Sequence, residues 1–245
     1  MRRILPVLGV CVTFLGALAA GVSLSRLDDP EGRSSPPFGQ ATTAPEPTPG
    51  TTPGTTPFAA TISEIDVALA DRMSASWRPG CPVPLGDLRY VDLTYWGFDD
   101  RVHHGELVVH ADEAEAIVDV FSSLFQQRFP IERMSLIDDF GGDDLASMEA
   151  NNTSAFNCRT VAGSGRWSEH AYGRAIDINP VQNPSVSGGS VEPPAGARYV
   201  DRTVPVPGLI HDGDAVVSTF AAIGWEWGGS WRLSRDWQHF SATGV

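Results

Sequence analysis

Asp177 constrains this chain more than any other residue. It lies between Ile176 and Ile178, with Ala175 just before them, in a stretch that reads as a buried strand. A carboxylate set among apolar side chains is costly unless a positive group holds it. His170 precedes it across Gly173, and imidazole nitrogen and carboxylate oxygen are both ligands for a divalent metal such as zinc. Two ligands do not make a site, so a third must come from elsewhere. The best candidate is in Asp236-Trp237-Gln238-His239-Phe240, where His239 follows an acid by three residues and again neighbours large apolar side chains. Three protein ligands with a fourth position open to water is the arrangement of a catalytic zinc. Asp236 then remains as a carboxylate able to point into the same cleft without ligating. Ser168, two residues before His170, would share its side of an extended chain and could hydrogen-bond a ligand or substrate.

The pattern S-x-H-x-x-G-x-A-x-D over residues 168–177, followed by W-G-G-x-W over 227–231 and D-x-x-H-F over 236–240, resembles the zinc peptidases that cut peptidoglycan stem peptides. That family comprises D-alanyl-D-alanine carboxypeptidases, dipeptidases and L-alanyl-D-glutamate endopeptidases. The resemblance spans residues 129–240 and is nearest the endopeptidase branch, with D-alanyl carboxypeptidase as the alternative. It implies one Zn2+ per chain held by His170, Asp177 and His239, with Asp236 as general base and a peptidoglycan stem peptide as substrate. It also implies that Arg159, upstream of the metal block, binds substrate or stabilises the oxyanion; an ordinary ion pair is the competing reading. The implied fold is α+β, a mainly antiparallel sheet with packed helices and the site on the sheet face, as in a hedgehog/DD-peptidase-like zinc domain. Trp231, beside Gly228 and Gly229, is a candidate substrate contact.

Charge narrows the partners. The chain has no lysine, and its formal net charge is −13. So acidic a surface argues against nucleic acid and against anionic membrane surfaces as binding partners. Met1-Arg2-Arg3 opens an apolar run, and Ala17-Leu18-Ala19 offers a small-x-small cleavage site. Residues 1–25 therefore read as a signal peptide or an N-terminal membrane anchor. Residues 26–57, rich in Pro, Thr and Gly, read as a disordered linker, and residues 58–245 as the zinc peptidase domain. The expected location is extracytoplasmic, either secreted or tethered to the outer face of a bacterial cytoplasmic membrane, as a monomer. Cys11 falls in the leader. In an exported chain, Cys81 and Cys158 form one disulfide or stay as two buried thiols.

Along the domain, Ser63 is expected to cap a helix with Ile65, Leu69 and Met73 on one face. Residues 88–95 and 107–109 read as strands, joined by a polar connection over 99–105 that leaves His103 and His104 as surface loop residues. Asp112-x-x-Glu115 resembles a capping box before a helix striped by Ile117, Val120, Phe121, Leu124 and Phe125. A strand over 129–137 leads to an acidic loop over 138–144. Residues 181–208 read as a long loop suited to a lid or binding surface. Asp212 or Asp214 then caps a helix through Val216, Val217, Phe220 and Ile223, ended by Gly224. A non-catalytic zinc-containing wall-binding module is the rival to an enzyme. Such a module needs three ligands but no base, so the presence of Asp236 favours the enzyme.

Overall fold

In β-structure alternate side chains face one side, and Val91, Leu93 and Tyr95 all go to the core. They belong to the central strand of the first sheet in a computed structural model that describes residues 57–244. The expected leader, Cys11 and all but the last residue of the linker lie outside the described residues. The described residues fall within one compact unit, and no helix among them is long and apolar enough to cross a membrane.

The elements run β1 (Ala60–Glu64), α1 (Val67–Arg72), β2 (Leu88–Trp96), β3 (Val102–His110), α2 (Ala114–Gln126), β4 (Arg133–Met134), α3 (Asp144–Glu149) and β5 (Asn152–Thr153). They continue with β6 (Ala175–Asp177), β7 (Ser185–Ser187), β8 (Ser190–Glu192), α4 (Ala215–Ala222), β9 (Glu226–Trp227), β10 (Arg235–Asp236) and β11 (His239–Ser241). The fold class is α+β with mainly antiparallel pairing, as expected. It is not a single sheet, however. Antiparallel sheets of order β1-β2-β3, β6-β11-β9 and β10-β7-β8 accompany a parallel β4-β5 pair.

One core joins the first sheet to the strands that carry the site. Helix α2 buries Ile117, Val120, Phe121 and Leu124 in the same cluster as Val91 and Leu93 from β2. Ile176, Ile178, Phe220, Trp227 and Phe240 belong to that cluster too. The Phe220 ring of α4 stacks on Phe240 of β11 at 4.1 Å between centroids. Each such side chain contributes about 1.5–3 kcal/mol when fully buried, so β6 and β11 are backed by packing that resists displacement.

Several expectations are corrected. Ser63 lies in β1, and the cap of α1 is Asp66, whose carboxylate accepts from the Leu69 N–H at 2.8 Å. The connection expected over 99–105 shrinks to a tight turn closed by Gly97 N–H donating to the Arg101 carbonyl at 2.7 Å. His103 and His104 therefore sit in β3, opposite Tyr95 and Thr94, with side chains near Asp99 and Asp92. The capping box is absent: no side chain caps α2, and the Asp112 carboxylate accepts from Arg174 Nη2 at 3.0 Å instead. Of the strand expected over 129–137 only β4 forms, and the acidic loop after it becomes a 3-10 turn, Ile137–Phe140, leading into α3. The region read as a loop over 181–208 contains the β7–β8 hairpin and a 3-10 turn, Pro194–Tyr199. Helix α4 starts after Asp214, whose carboxylate takes the His211 N–H rather than a helical one.

Cys81 and Cys158 are disulfide-bonded across a sequence separation of 77, which removes the free-thiol alternative. Cys158 is buried with Met73, Val83 and Phe156, so the bond fastens the segment leading to Arg159 onto the first half of the domain. Closing a loop of this size stabilises by about 4 kcal/mol in the chain-entropy model. Replacing both cysteines with serine should lower the unfolding free energy by about that much in denaturant titration; an unchanged midpoint would contradict a structural role for the bond.

Candidate active site

The metal block folds as a turn followed by a strand. Ser168 Oγ accepts from the His170 N–H at 3.3 Å and caps the 3-10 turn Glu169–Tyr172. His170 therefore sits on a turn rather than on the extended chain from which Ser168 was expected to share its face. Gly173 ends the turn at φ +67°, and a Cβ there would lie 2.6 Å from His110 N and 3.0 Å from Val109 C. Only glycine meets both conditions. Its carbonyl accepts from His110 N–H at 2.8 Å, and the chain then enters β6. In the β6–β11 register Asp177 lies opposite His239, so strand pairing brings two distant residues together. The Asp177 main chain is held on its other side by Ser154, with N–H···O distances of 2.9 and 3.1 Å.

His170, Asp177 and His239 are all buried, and one candidate ligand atom from each lies within 4.8 Å of the others. The His239 Nδ1–H donates to Asp177 Oδ1 at 3.0 Å. His170 Nδ1 is 2.6 Å from the Ala155 carbonyl; a carbonyl only accepts, so this nitrogen carries a proton. In the neutral ring Nε2 is then the lone-pair atom, a tautomer fixed as it commonly is for metal-ligating histidines. That Nε2 lies 3.2 Å from Asp177 Oδ2 yet has no hydrogen-bond partner, and neither does His239 Nε2. A buried polar atom left unpaired costs about 1–3 kcal/mol. Burial alone would push the Asp177 carboxyl up, but the flanking imidazoles of His170 and His239 hold it well below the usual carboxylate range. Burial would lower His239, and the Asp177 hydrogen bond and charge raise it. Two imidazoles and one ionised carboxylate, with buried ring nitrogens unpaired, form a donor set that fits zinc.

Asp236 lies next to this group on β10. Its Oδ1 is sealed from solvent and unpartnered, and burial, partly offset by the charge of His239, pushes its carboxyl up to about 6. Gly228 makes room for it: a Cβ there would lie 2.7 Å from the Asp236 carbonyl oxygen. Arg235 Nη1 donates to the Gly229 carbonyl at 3.1 Å and to that of Trp231, which fastens the W-G-G-x-W loop against β10. Trp231 is tilted over His239 with centroids 5.5 Å apart. Arg159 Nη2 pairs with Asp144 Oδ2 at 2.8 Å, while its Nε is buried without a partner. Both expected readings of Arg159 thus have a foothold: it is ion-paired, and it lines the cleft.

These residues share an open cleft of about 1170 Å³, lined by Arg159, Ser168, His170, Asp177, Trp231, Asp236 and His239. Ser168 reaches it, although its oxygen already serves the His170 turn. Sequence reasoning missed the wall formed by β7, whose Ser185 pairs with Asp236 in register and lines the cleft with Ser187. The signal was present in Gly188-Gly189, a hairpin turn dipeptide. The Ala155 carbonyl that orients His170 carries no side-chain signature and could not be read.

A family model described as D-alanyl-D-alanine carboxypeptidase matches residues 162–242. The match takes in the metal block, the W-G-G-x-W loop and the D-x-x-H-F block, and bears out the resemblance to stem-peptide peptidases. It supports a peptidase acting on peptidoglycan, in a family that depends on metal. Arg159 lies outside the matched stretch. No curated protein and no solved structure matches the chain.

If the three buried residues hold zinc, the purified protein should contain close to one zinc per chain, and His239→Ala should lose most of it. Added zinc should raise the unfolding temperature of the metal-free wild type, because a ligand that binds only the folded state stabilises it, and should leave His239→Ala unmoved. Full zinc occupancy in the variant would remove His239 from the ligand set.

Proposed function

We propose that this chain is an exported zinc metallopeptidase that hydrolyses a peptide bond in the peptidoglycan stem, with His170, Asp177 and His239 holding the metal and Asp236 as general base. The bond is either the endopeptidase one, between L-alanine and D-glutamate, or a terminal D-alanyl bond. In this reading residues 1–25 direct or anchor the chain, residues 26–57 act as a tether, and residues 58–245 carry the activity outside the cytoplasmic membrane.

One observation carries the catalytic reading. Asp236 offers a buried carboxylate oxygen with no partner, beside the His-Asp-His group and in the same open cleft. A structural carboxylate would be hydrogen-bonded there. Bound zinc would supply Lewis acidity, which makes water nucleophilic near neutral pH and polarises a carbonyl. The chain's own residues do the rest. Asp236 takes a proton from the attacking water and passes it to the leaving amine. The protonated Nδ1 of His170, bonded to Ala155, keeps that ring in one tautomer. Arg159, held by Asp144, presents a guanidinium to substrate carboxylate or developing oxyanion. Trp231 forms an apolar wall over His239 and limits water around the reacting bond.

The test is digestion of defined muropeptides by the zinc-loaded protein, with products identified by mass. Cleavage within the stem that stops on chelation is expected. Binding without any product would favour the wall-binding module. Asp236→Asn should keep zinc and lose hydrolysis by about 10²–10⁴-fold. Because burial raises the Asp236 carboxyl, its ionised form disfavours the fold above its unfolded pKa, and protonation relieves this as pH falls through about 6. The metal-free Asn variant should therefore be at least as stable as metal-free wild type at neutral pH. Hydrolysis by the wild type should decline as Asp236 is protonated, at or below pH of about 6, since a bound cation would draw the carboxyl down. Activity surviving in Asp236→Asn would assign the base elsewhere.

A further inference from the structure

Gln238 stands in sequence between the proposed base and the third proposed ligand, and it lines the same cleft. Its side chain is deeply buried, with the residue only 3% exposed. The carboxamide is nevertheless poorly paired. Oε1 has no hydrogen-bond partner, and Nε2 donates to the Met148 thioether sulfur at 3.3 Å, a weak acceptor. The fold uses this residue through its main chain, since the Gln238 carbonyl accepts from Ile178 N–H at 3.0 Å. An apolar residue of similar size would fill the same space without a stranded amide oxygen, losing the favourable interaction of the amide N–H with the neighbouring Asp236 carboxylate. Buried polar atoms without partners are rare, and they gather where a ligand completes them.

An unpaired amide oxygen next to Asp236 suits a neutral N–H donor. An anionic group would meet like charge at Asp236, whereas a peptide laid along the cleft presents N–H groups that need acceptors once water is excluded. We propose that Gln238 is a substrate-binding residue whose Oε1 accepts an N–H of the stem peptide close to the bond to be cut. The proposal rests on the peptidase reading above. In the free protein the amide is held by its bond to the Met148 sulfur, and the residue's main chain is tied to Ile178.

Gln238→Met keeps the volume and removes both hydrogen-bonding atoms. Muropeptide binding is measured by calorimetry in the turnover-deficient Asp236→Asn background, together with zinc content and thermal unfolding. KM and kcat are measured with Asp236 intact. A binding role predicts an unfolding temperature equal to or above the parent's, unchanged zinc, and affinity weaker by roughly five- to tenfold. KM should rise by a similar factor while kcat moves much less. A fall in unfolding temperature alongside affinity would make Gln238 a packing residue and overturn the proposal, as would unchanged affinity. If the parent neither binds nor cleaves muropeptides, the peptidase reading fails and takes this inference with it; binding by the parent and equally by Gln238→Met removes the inference alone.

Discussion

The Asp177 carboxylate, set between two imidazoles in a buried strand, is the interaction on which the rest of the domain depends. Its charge can stay buried only because His170 and His239 face it. Those two come from opposite ends of the matched region, so the carboxylate also fixes topology. Strand β11 must return antiparallel to β6, in the one register that puts His239 opposite Asp177. A slip by one residue would send His239 to the other face. The aromatic packing of Phe240 against Phe220 on that other face makes the slip costly as well. Burial on one face of β11 and charge pairing on the other therefore enforce the same alignment.

The remainder of the site is arranged around that pair of strands. Gly173 allows the turn carrying His170 to lie against β3, and the Ala155 carbonyl turns the ring. The disulfide at Cys158 ties down the segment that continues into Arg159. Hairpin β7–β8 pairs with β10 and so makes one wall of the cleft while it supports Asp236. Among the described residues, seven side-chain nitrogen or oxygen atoms are buried without hydrogen-bond partners, and five of them, His170 Nε2, His239 Nε2, Asp236 Oδ1, Gln238 Oε1 and Arg159 Nε, belong to residues that line the cleft; Asn157 Nδ2 and Arg202 Nε do not. That clustering is what the proposed metal and substrate roles would require.

Much of the site was legible because the residues that bear the chemistry are short-range motifs. His170, Gly173 and Asp177 fall within one turn and one strand, and Asp236 and His239 within one bend. The stripe of α2 was legible for the same local reason. What could not be read was set by tertiary partners. Asp112 was drawn from its capping role by Arg174, and Ser63 was taken into β1 by pairing with β2. The length of β3 was hidden because His103 and His104 are polar on an edge strand, where solvent accepts them. Residues 181–208 look like a loop because their strands are three residues long, too short for alternation to show. The Ala155 contact and the role of Gln238 depend on distances that no spacing encodes.

The central claim is that two histidines and one aspartate hold a single zinc in a cleft open to substrate. X-ray absorption at the zinc edge of the purified, zinc-loaded protein tests it most directly. The account predicts a shell of light nitrogen and oxygen donors with the outer-shell scattering of two imidazoles and no sulfur. Sulfur in the shell, or scattering from any number of imidazoles other than two, would contradict it.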